Sequence, residues 1–337
     1  MCGTLVWLKF LVCLAAILVA GTRLARYADV IAEKTGLGRI WIGLALVALV
    51  TATPEMATGV SSAALVESPD LAVGTLIGSC CFNLSILFVL DHVSRRGPVL
   101  ANVSAHHLPS VRAGLLLLSI AALSIFLSNR LSLPVIAWVS VPAVVLLVAY
   151  PLTLRHILNR ERGRPVEEHE GVKHYASSTL KGALAGFVIA SAVVIGAGVW
   201  LSFIGDEIAT VTGWGASFVG NLLLAVATSA PELVVSVAAV RMGFADIAIA
   251  DILGANMLDT GMLGLVDVFY LRGSLFADAS PVNLVVMVVA AMSTVIAGIG
   301  IWKRRQRYIK GKLTWYGPLV VLLYMTAAYV LFTFGAT

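Results

Sequence analysis

The sequence predicts an all-α integral membrane protein with ten transmembrane helices in two inverted five-helix repeats and both termini outside. Three observations predict this fold: the apolar composition, the distribution of Lys and Arg, and a duplicated pair of motifs. Of the 337 residues, 59% are hydrophobic and only 12% are charged, unlike a soluble globular domain. Mean hydropathy is +0.96. These values are typical of a chain that spans a bilayer many times.

Long apolar runs without clustered charge mark the helices, since a span needs about 20 such residues. The first five runs are residues 4–22, 38–66, 71–93, 111–128 and 133–154. The second five are residues 179–204, 214–240, 246–271, 282–302 and 315–334. A polar segment rich in both signs of charge separates the two sets. We therefore predict a first repeat over residues 1–154, a cytoplasmic linker over 155–178 and a second repeat over 179–337.

The basic residues favour one orientation of these helices. Twenty of the 23 Lys and Arg residues fall in the loops on one side, and the opposite loops hold only Arg130 and Arg272. Basic loops stay in the cytoplasm, so both termini are expected outside, and the protein is expected in a cell membrane (plasma or inner membrane). This topology also explains the net charge of +5, so no nucleic-acid partner is expected.

A proline and a glutamate interrupt two of the apolar runs, in TATPE ending at Glu55 and in TSAPE ending at Glu232. A charged carboxylate near the middle of a span costs about 2.5 kcal/mol or more, so it normally faces a cavity or a partner. Proline removes a backbone donor and frees carbonyl groups near Thr51 and Thr228. We predict two broken helices whose oxygen atoms converge at mid-membrane.

Both motifs belong to a longer duplication. The aligned pairs are residues 36–55 with 213–232, at an offset of 177, and 69–91 with 245–267, at an offset of 176. The motif regions cover about residues 43–91 and 220–267. Because each half holds an odd number of helices, the second copy enters the membrane from the opposite side, and the repeats are inverted.

A second motif follows each glutamate, with Ser79 and Asn83 in one copy and Ala255 and Asp259 in the other. Each pair is spaced i to i+4, which places it on one helix face. A pseudo-two-fold axis would bring together four oxygen-bearing side chains: Glu55, Asn83, Glu232 and Asp259. Up to three negative charges with no imidazole or soft ligand favour Ca²⁺ or an alkali cation over zinc or copper.

These motifs resemble those of the sodium/calcium exchangers in the cation/calcium antiporter superfamily, whose repeats carry G-T-S-x-P-E and G-S-N-x-x-N/D patterns. The matching stretches are VTATPE with GSCCFN and ATSAPE with GANMLD. The resemblance implies Ca²⁺ binding by Glu55 and Glu232 with Thr51 and Thr228, Na⁺ competing for overlapping positions, and no cofactor beyond these transported ions. It also implies that the first and sixth helices slide past the rest, with one monomer sufficient for transport.

The sequence departs from the family pattern at two hydroxyl positions. Ala52 stands where the other copy has Ser229, and Ala255 where the other copy has Ser79. If each flanking Na⁺ site takes one hydroxyl from either repeat, as the family resemblance suggests, one site is intact and the other has lost both. We expect a reduced Na⁺ stoichiometry or protons in place of some Na⁺.

Several alternatives remain open at this point. Ca²⁺/H⁺ exchange on the same fold is a close rival, K⁺ coupling is open, and an intramembrane enzyme or a channel is more distant. Among the other acidic residues, Asp251 aligns with Thr75 and could extend a cation path, but it is expected near the membrane surface. Asp91 and Asp267 are expected in water, and Asp70 and Asp246 at helix amino ends.

Overall fold

The computed structural model describes residues 2–35, 49–131, 133–161, 179–303, 307–309 and 311–335. The helices of the first half are α1 (Cys2–Thr35), α2 (Thr53–Ala64), α3 (Pro69–Val93), α4 (Leu108–Ser128) and α5 (Val141–Glu161). Those of the second half are α6 (Leu180–Thr212), α7 (Ala216–Thr228), α8 (Ala230–Met242), α9 (Ala245–Phe269), α10 (Leu275–Asp278), α11 (Asn283–Lys303) and α12 (Tyr316–Phe334). Short 3₁₀ turns at Val99–Ala101 and Ala105–His107 precede α4.

Within these residues, eight helices are long and apolar enough to cross a membrane, or nine if α7 and α8 form one bent span. The predicted span 38–66 lies partly outside the described residues, which contain its second part, α2. The ten-helix count and the sides of the termini therefore stay predictions. The all-helical, multi-pass architecture is confirmed.

The predicted fifth span differs from the structure at both ends. Residues Val135–Ile136 (β1) and Val139–Ser140 (β2) form a small antiparallel hairpin, and α5 begins only at Val141. Ala137 has a φ of 60°, a turn conformation that a helix does not contain. At the other end α5 continues to Glu161, so the first residues of the predicted linker are helical, and residues 162–178 lie outside the described part.

Helices α1 and α6 are antiparallel neighbours along most of their length. Lys9 on α1 forms an ion pair with Glu207 on α6 at 2.7 Å, and the Cys13 thiol lies 3.1 Å from the carbonyl oxygen of Ala197. Their 34 and 33 residues exceed the predicted spans of residues 4–22 and 179–204. Both proline motifs pack against this pair, at Gly21 for Pro231 and at Gly198 for Pro54.

Helices α3 and α9 lie at the centre of the bundle and meet at symmetry-related residues. The Asn256 amide donates to the carbonyl oxygen of Cys80 at 3.1 Å, and the Cys80 thiol lies 3.5 Å from the carbonyl oxygen of Asn256. These residues are 176 positions apart, the offset of the repeat. A residue that contacts its own repeat counterpart lies on the pseudo-two-fold axis, which therefore passes between α3 and α9.

Glycines allow α3 and α7 to approach closely. A Cβ atom on Gly78 would lie 2.5 Å from the Cα of Asn221, and one on Gly220 would lie 2.7 Å from the carbonyl oxygen of Leu71. Small residues are the usual device for close helix contacts in lipid, where van der Waals packing replaces the hydrophobic effect. This crossing holds α7, which has a π-helical turn at Val219–Leu224, against the core.

The prediction that Asp91 and Asp267 face water is wrong, because both are buried. The Asp91 carboxylate accepts from the Val99 N–H at 2.8 Å and from the Tyr316 hydroxyl at 2.7 Å. Asp267 accepts from the N–H groups of Leu275 and Ser140, both at 2.8 Å. Each carboxylate thus joins its own repeat to a residue at or directly before the start of the fifth helix of the other repeat.

Asp70 and Asp246 lie in the first turns of α3 and α9, yet their carboxylates bind other helices. Asp70 accepts from the Ser280 N–H and the Asn283 amide, both at 2.7 Å, next to the start of α11. In the second copy, Asp246 accepts from the Ser104 N–H at 2.8 Å and contacts the ring of His107 at 2.9 Å, next to α4. These carboxylates stabilise amino ends as expected, but of neighbouring helices.

Candidate cation site

The two proline motifs break their helices at equivalent places. Residues 49–51 are helical, Ala52 is in a turn, and α2 starts at Thr53 with Pro54 in its first turn. In the second copy α7 ends at Thr228, and α8 starts beyond Ser229 with a bend of 45°. The breaks occur because proline cannot donate the hydrogen bond that would continue the helix. Both breaks are as the sequence predicts.

Each break places a glutamate in the first turn of the helix that follows it, Glu55 in α2 and Glu232 in α8. The amino end of a helix carries a partial positive charge and unpaired N–H groups, which favour a carboxylate. Both glutamates are at most 1% exposed. The local sequence thus positions two buried carboxylates that point from opposite repeats toward the centre of the protein.

All eight residues predicted to bind cations are buried. These are Thr51, Glu55, Ser79, Asn83, Thr228, Ser229, Glu232 and Asp259, none more than 1% exposed. Two contacts connect the repeats. The Ser229 hydroxyl donates to Glu55 at 2.7 Å, and the hydroxyl oxygens of Ser79 and Thr228 lie 3.4 Å apart.

Most of the other polar atoms at this centre have no hydrogen-bond partner among the described residues. They are both carboxylate oxygens of Glu232 and of Asp259, the second oxygen of Glu55, and both side-chain atoms of Asn83. A buried polar group without a partner costs several kcal/mol, and a buried unpaired charge costs more. A bound cation would satisfy these oxygens, so the arrangement is suited to hold one.

The convergence of three carboxylates on one bound ion stays a prediction. The described ranges contain no group of three or more Asp, Glu, His or Cys side chains close enough to hold one metal ion. Glu55, Glu232 and Asp259 lie within electrostatic range of one another. Like charges repel strongly in a low-dielectric interior, which keeps bare carboxylates apart. A cation between these side chains would offset this repulsion.

Asp251, which was expected near the membrane surface, is buried within the protein and lies close to the candidate site. It is 4% exposed, and its carboxylate lies 3.4 Å from the Ser236 hydroxyl, within hydrogen-bonding range of Thr51 and within electrostatic range of both Glu55 and Glu232. Its position one turn before Ala255 on α9 is the sequence signal that could have placed it near the site.

Asn221 is a buried residue near the site that sequence reasoning did not single out. Its side chain is fully buried on the π-helical turn of α7, and neither of its polar atoms has a partner in the part of the chain that the structure describes. Its backbone carbonyl accepts from the Tyr324 hydroxyl at 2.8 Å. An amide inside the apolar run GNLLLAVA was the available signal.

A helical bundle with many membrane-spanning segments, two broken helices and buried carboxylates at their junction defines a multi-pass membrane transporter for cations. The family described as sodium/calcium exchanger protein matches residues 5–158 and 182–335. The chain belongs to the sodium/calcium exchanger family.

Known proteins resemble the chain over most of its length. An uncharacterized membrane protein of Methanocaldococcus jannaschii is 24% identical over 88% of this chain and 88% of its own. The inner membrane protein YrbG of Escherichia coli is 28% identical over 73% of this chain and 74% of its own. The sodium/calcium exchanger MaX1 of Methanosarcina acetivorans is 40% identical over a shorter stretch, 24% of this chain and 23% of its own.

Solved structures share the fold. A structure of the sodium-calcium exchanger NCX_Mj, soaked with Na⁺ and Sr²⁺, superposes with a TM-score of 0.63 at 21% identity and covers 98% of this chain and 99% of its own. A second structure of that exchanger, soaked with Na⁺ and without Ca²⁺, gives a TM-score of 0.62 at 23% identity over 98% and 99%.

Family membership decides between the classes of function. The family consists of exchangers, which are transporters and not enzymes, so the intramembrane enzyme is no longer an alternative. Membership supports cation/calcium exchange, with Na⁺ and Ca²⁺ as the transported ions.

Proposed function

We propose that this protein is a secondary antiporter that exchanges Ca²⁺ for Na⁺ by alternating access at a mid-membrane site. Glu55 and Glu232 bind Ca²⁺, with oxygens of Thr51 and Thr228 completing the shell. Asn83 and Asp259 lie at the edge of this site, and Ser79 and Ser229 supply hydroxyls to a flanking Na⁺ site.

The observation that carries the proposal is the set of buried carboxylate oxygens without partners. Both oxygens of Glu232 and one oxygen of Glu55 are unpaired among the described residues. Glu55 and Glu232 come from opposite repeats, and the proline in each motif is expected to free carbonyl groups in the turn that precedes each glutamate. Oxygen ligands of this kind suit Ca²⁺ and Na⁺.

Packing around the breaks supports the expected mechanism. Gly21 on α1 lies against Pro231, and Gly198 on α6 lies against the carbonyl of Pro54. Each glycine is the repeat counterpart of the other, since they are 177 positions apart. The α1–α6 pair therefore meets each break at a glycine, which suits sliding of these helices between two access states.

Ca²⁺/H⁺ exchange is the second candidate, and the two missing hydroxyls at Ala52 and Ala255 favour it. Carboxylates that crowd in a low-dielectric site can bind protons in place of metal ions. K⁺ coupling is the third possibility, through Asp259 at the edge of the site.

Purified protein in liposomes tests these alternatives. Ca²⁺ uptake is followed with a dye while an outward gradient of Na⁺, K⁺ or protons is imposed in separate runs. We expect uptake with the Na⁺ gradient, loss of uptake in Glu55→Gln and in Glu232→Gln, and normal uptake in Glu207→Gln, an acidic residue outside the site. Uptake driven only by protons would establish the second candidate, and no Ca²⁺ movement under any gradient would contradict calcium exchange.

A further inference from the structure

Asp251 is a buried carboxylate that the proposed Ca²⁺ site does not use. One of its oxygens, Oδ1, has no hydrogen-bond partner among the described residues, and none of the ion pairs between those residues involves it. An unpaired buried carboxylate in a membrane span normally marks an ion or proton path. It therefore calls for a cationic partner.

Asp251 and Ser236 lie one helical turn from the central site in the same direction. Ser236 follows Glu232 by four residues on α8, and Asp251 precedes Ala255 by four residues on α9, a displacement of about 6 Å along each helix axis. Helix α8 ends and α9 begins at the same face of the protein, around Gly243. That face is the one predicted to be cytoplasmic.

The other repeat has no counterpart of this arrangement. The residues equivalent to Ser236 and Asp251 are Gly59 and Thr75. Gly59 has no side chain, and the Thr75 hydroxyl donates to the carbonyl of Leu71 on its own helix at 2.7 Å. The extra carboxylate is thus present on one side of the pseudo-two-fold axis, and no equivalent ligand pair stands on the other.

Asp251 lies on the same side of the pseudo-two-fold axis as Ala52 and Ala255, the two positions where the other copy has a serine hydroxyl. On the mirror side, Thr228 pairs with Ser79. The equivalent pairing here would join Thr51 to residue 255, which is an alanine, and Thr51 instead lies within hydrogen-bonding range of Asp251. The carboxylate therefore occupies the role that a serine hydroxyl has in the other half.

We propose that Asp251, Ser236 and Thr51 form a second cation site, for Na⁺, one helical turn toward the predicted cytoplasmic face from Glu232. One carboxylate and two hydroxyls supply hard oxygen ligands and a single negative charge, which balances a monovalent ion. Glu55 and Glu232 add negative potential nearby, which raises the local concentration of cations.

The proposed site changes the number of bound Na⁺ ions that Ala52 and Ala255 lead one to expect. With Asp251 as a ligand, the number of bound Na⁺ ions is maintained, and the flanking site differs in ligand chemistry from its mirror. Asp29 on α1, within electrostatic range of Asp251, extends the acidic groups toward the same face. The proposal rests on the exchange function proposed above.

The test measures Na⁺ dependence in Asp251→Asn, with Na⁺ varied on the predicted cytoplasmic side of the liposomes. We expect the half-saturating Na⁺ concentration to rise about tenfold, as for the loss of one charged ligand, and the Hill coefficient for Na⁺ to fall. Exchange of Ca²⁺ for radioactive Ca²⁺ without Na⁺ should be retained, because it uses only the central site. Unchanged Na⁺ dependence, or a change in the pH profile alone, would overturn the proposal.

Two further variants sharpen the result. Thr75→Val alters the mirror position and should leave Na⁺ dependence unchanged. Ala255→Ser added to Asp251→Asn gives Thr51 the hydroxyl partner of the mirror side and should restore the Hill coefficient. If the double variant has the same low Hill coefficient for Na⁺ as Asp251→Asn, then the Asp251 carboxylate does not take the place of a serine hydroxyl, and this part of the proposal is contradicted.

A binding measurement separates this proposal from the proposed function. In detergent, Na⁺ at constant ionic strength should raise the melting temperature of the unaltered protein more than that of Asp251→Asn or Ser236→Ala. Equal Na⁺ stabilisation in all three excludes the site. Lack of Ca²⁺ transport by the unaltered protein contradicts the exchange function and leaves this binding result interpretable.

Discussion

Buried carboxylates in this protein divide into those with hydrogen-bond partners and those without. Asp91 and Asp267 accept several hydrogen bonds each and connect the repeats. Glu232 and Asp259 are equally buried, yet their oxygens have no partner in the described residues. Burial alone therefore does not distinguish a structural carboxylate from an ion ligand, whereas the state of its oxygens does.

The unpaired state of Asp259 leads to a prediction on binding and stability. Asp259→Asn gives this position the amide that Asn83 has in the other repeat. We expect the half-saturating Ca²⁺ concentration to rise about tenfold because one charge is lost. The melting temperature without Ca²⁺ should stay equal or rise, because an unpaired buried charge is removed. A lower melting temperature in chelator would show that the carboxylate is structural.

Asp91 accepts several hydrogen bonds, so its removal should lower the melting temperature, in contrast to the change at Asp259. Asp91→Ala leaves the Tyr316 hydroxyl and the Val99 N–H without their buried acceptor, at a cost of about 3 kcal/mol. The melting temperature should fall by several degrees with or without Ca²⁺. Glu67→Gln, which removes an exposed ion pair with Arg272, is the control and should have little effect. Equal stability of Asp91→Ala would contradict its role in connecting α3 to α12.

At the scale of helices, the α1–α6 pair and the two proline breaks form the proposed moving contact. Gly198 lies against Ala57, Pro54 and Thr58 of the first break, and the Thr58 hydroxyl donates to the Gly198 carbonyl at 3.1 Å. A Cβ atom on Gly198 would come within 2.7 Å of the Ala57 Cβ. The contact leaves no room for a side chain.

Gly198→Val should therefore slow Ca²⁺ exchange by about tenfold or more, since overpacking costs about 1 to 3 kcal/mol. Ca²⁺ stabilisation of the protein in detergent should persist, because the ligands are unchanged. Gly196→Val is the matched control on the same helix, since a Cβ there meets no atom within 4 Å. Equal transport rates for the two variants would argue against a close sliding contact at Gly198.

At the scale of the whole molecule, pseudo-two-fold symmetry and its local exceptions together define the protein. The axis passes between Cys80 and Asn256, and the contacts of Gly21 and Gly198 repeat across it. Asp251 breaks the symmetry beside the site. Symmetric repeats suit alternating access, since the two halves can exchange conformations to open either side, and an asymmetric ligand makes the two sides bind ions differently.

The orientation of the whole molecule is open to a direct test. Arg95→Cys places a thiol in a loop predicted to be cytoplasmic, and Leu271→Cys places one at the opposite face. In a background with Ser at Cys2, an impermeant maleimide on intact cells should label only the second variant. The native Cys13, Cys80 and Cys81 are buried and should not react. Labelling of the first variant alone would reverse the predicted topology.

The sequence by itself determined the class of protein, the family, the position of most spans and both helix breaks. It could do so because lipid requires long apolar runs, because proline acts on its own helix, and because duplication is visible as identity between residues. The duplication also predicted four of the site residues, Glu55, Asn83, Glu232 and Asp259. The family resemblance added Thr51, Thr228, Ser79 and Ser229, and all eight are buried.

Only the tertiary structure decided which buried carboxylates have partners. Asp91 and Asp267 end their helices, where sequence favours solvent, but loops and helices from the other repeat cover them. Asp251 approaches Thr51 because α9 packs against the first break, about 200 residues earlier in the chain. Such partners come from packing between distant segments, which local periodicity does not encode.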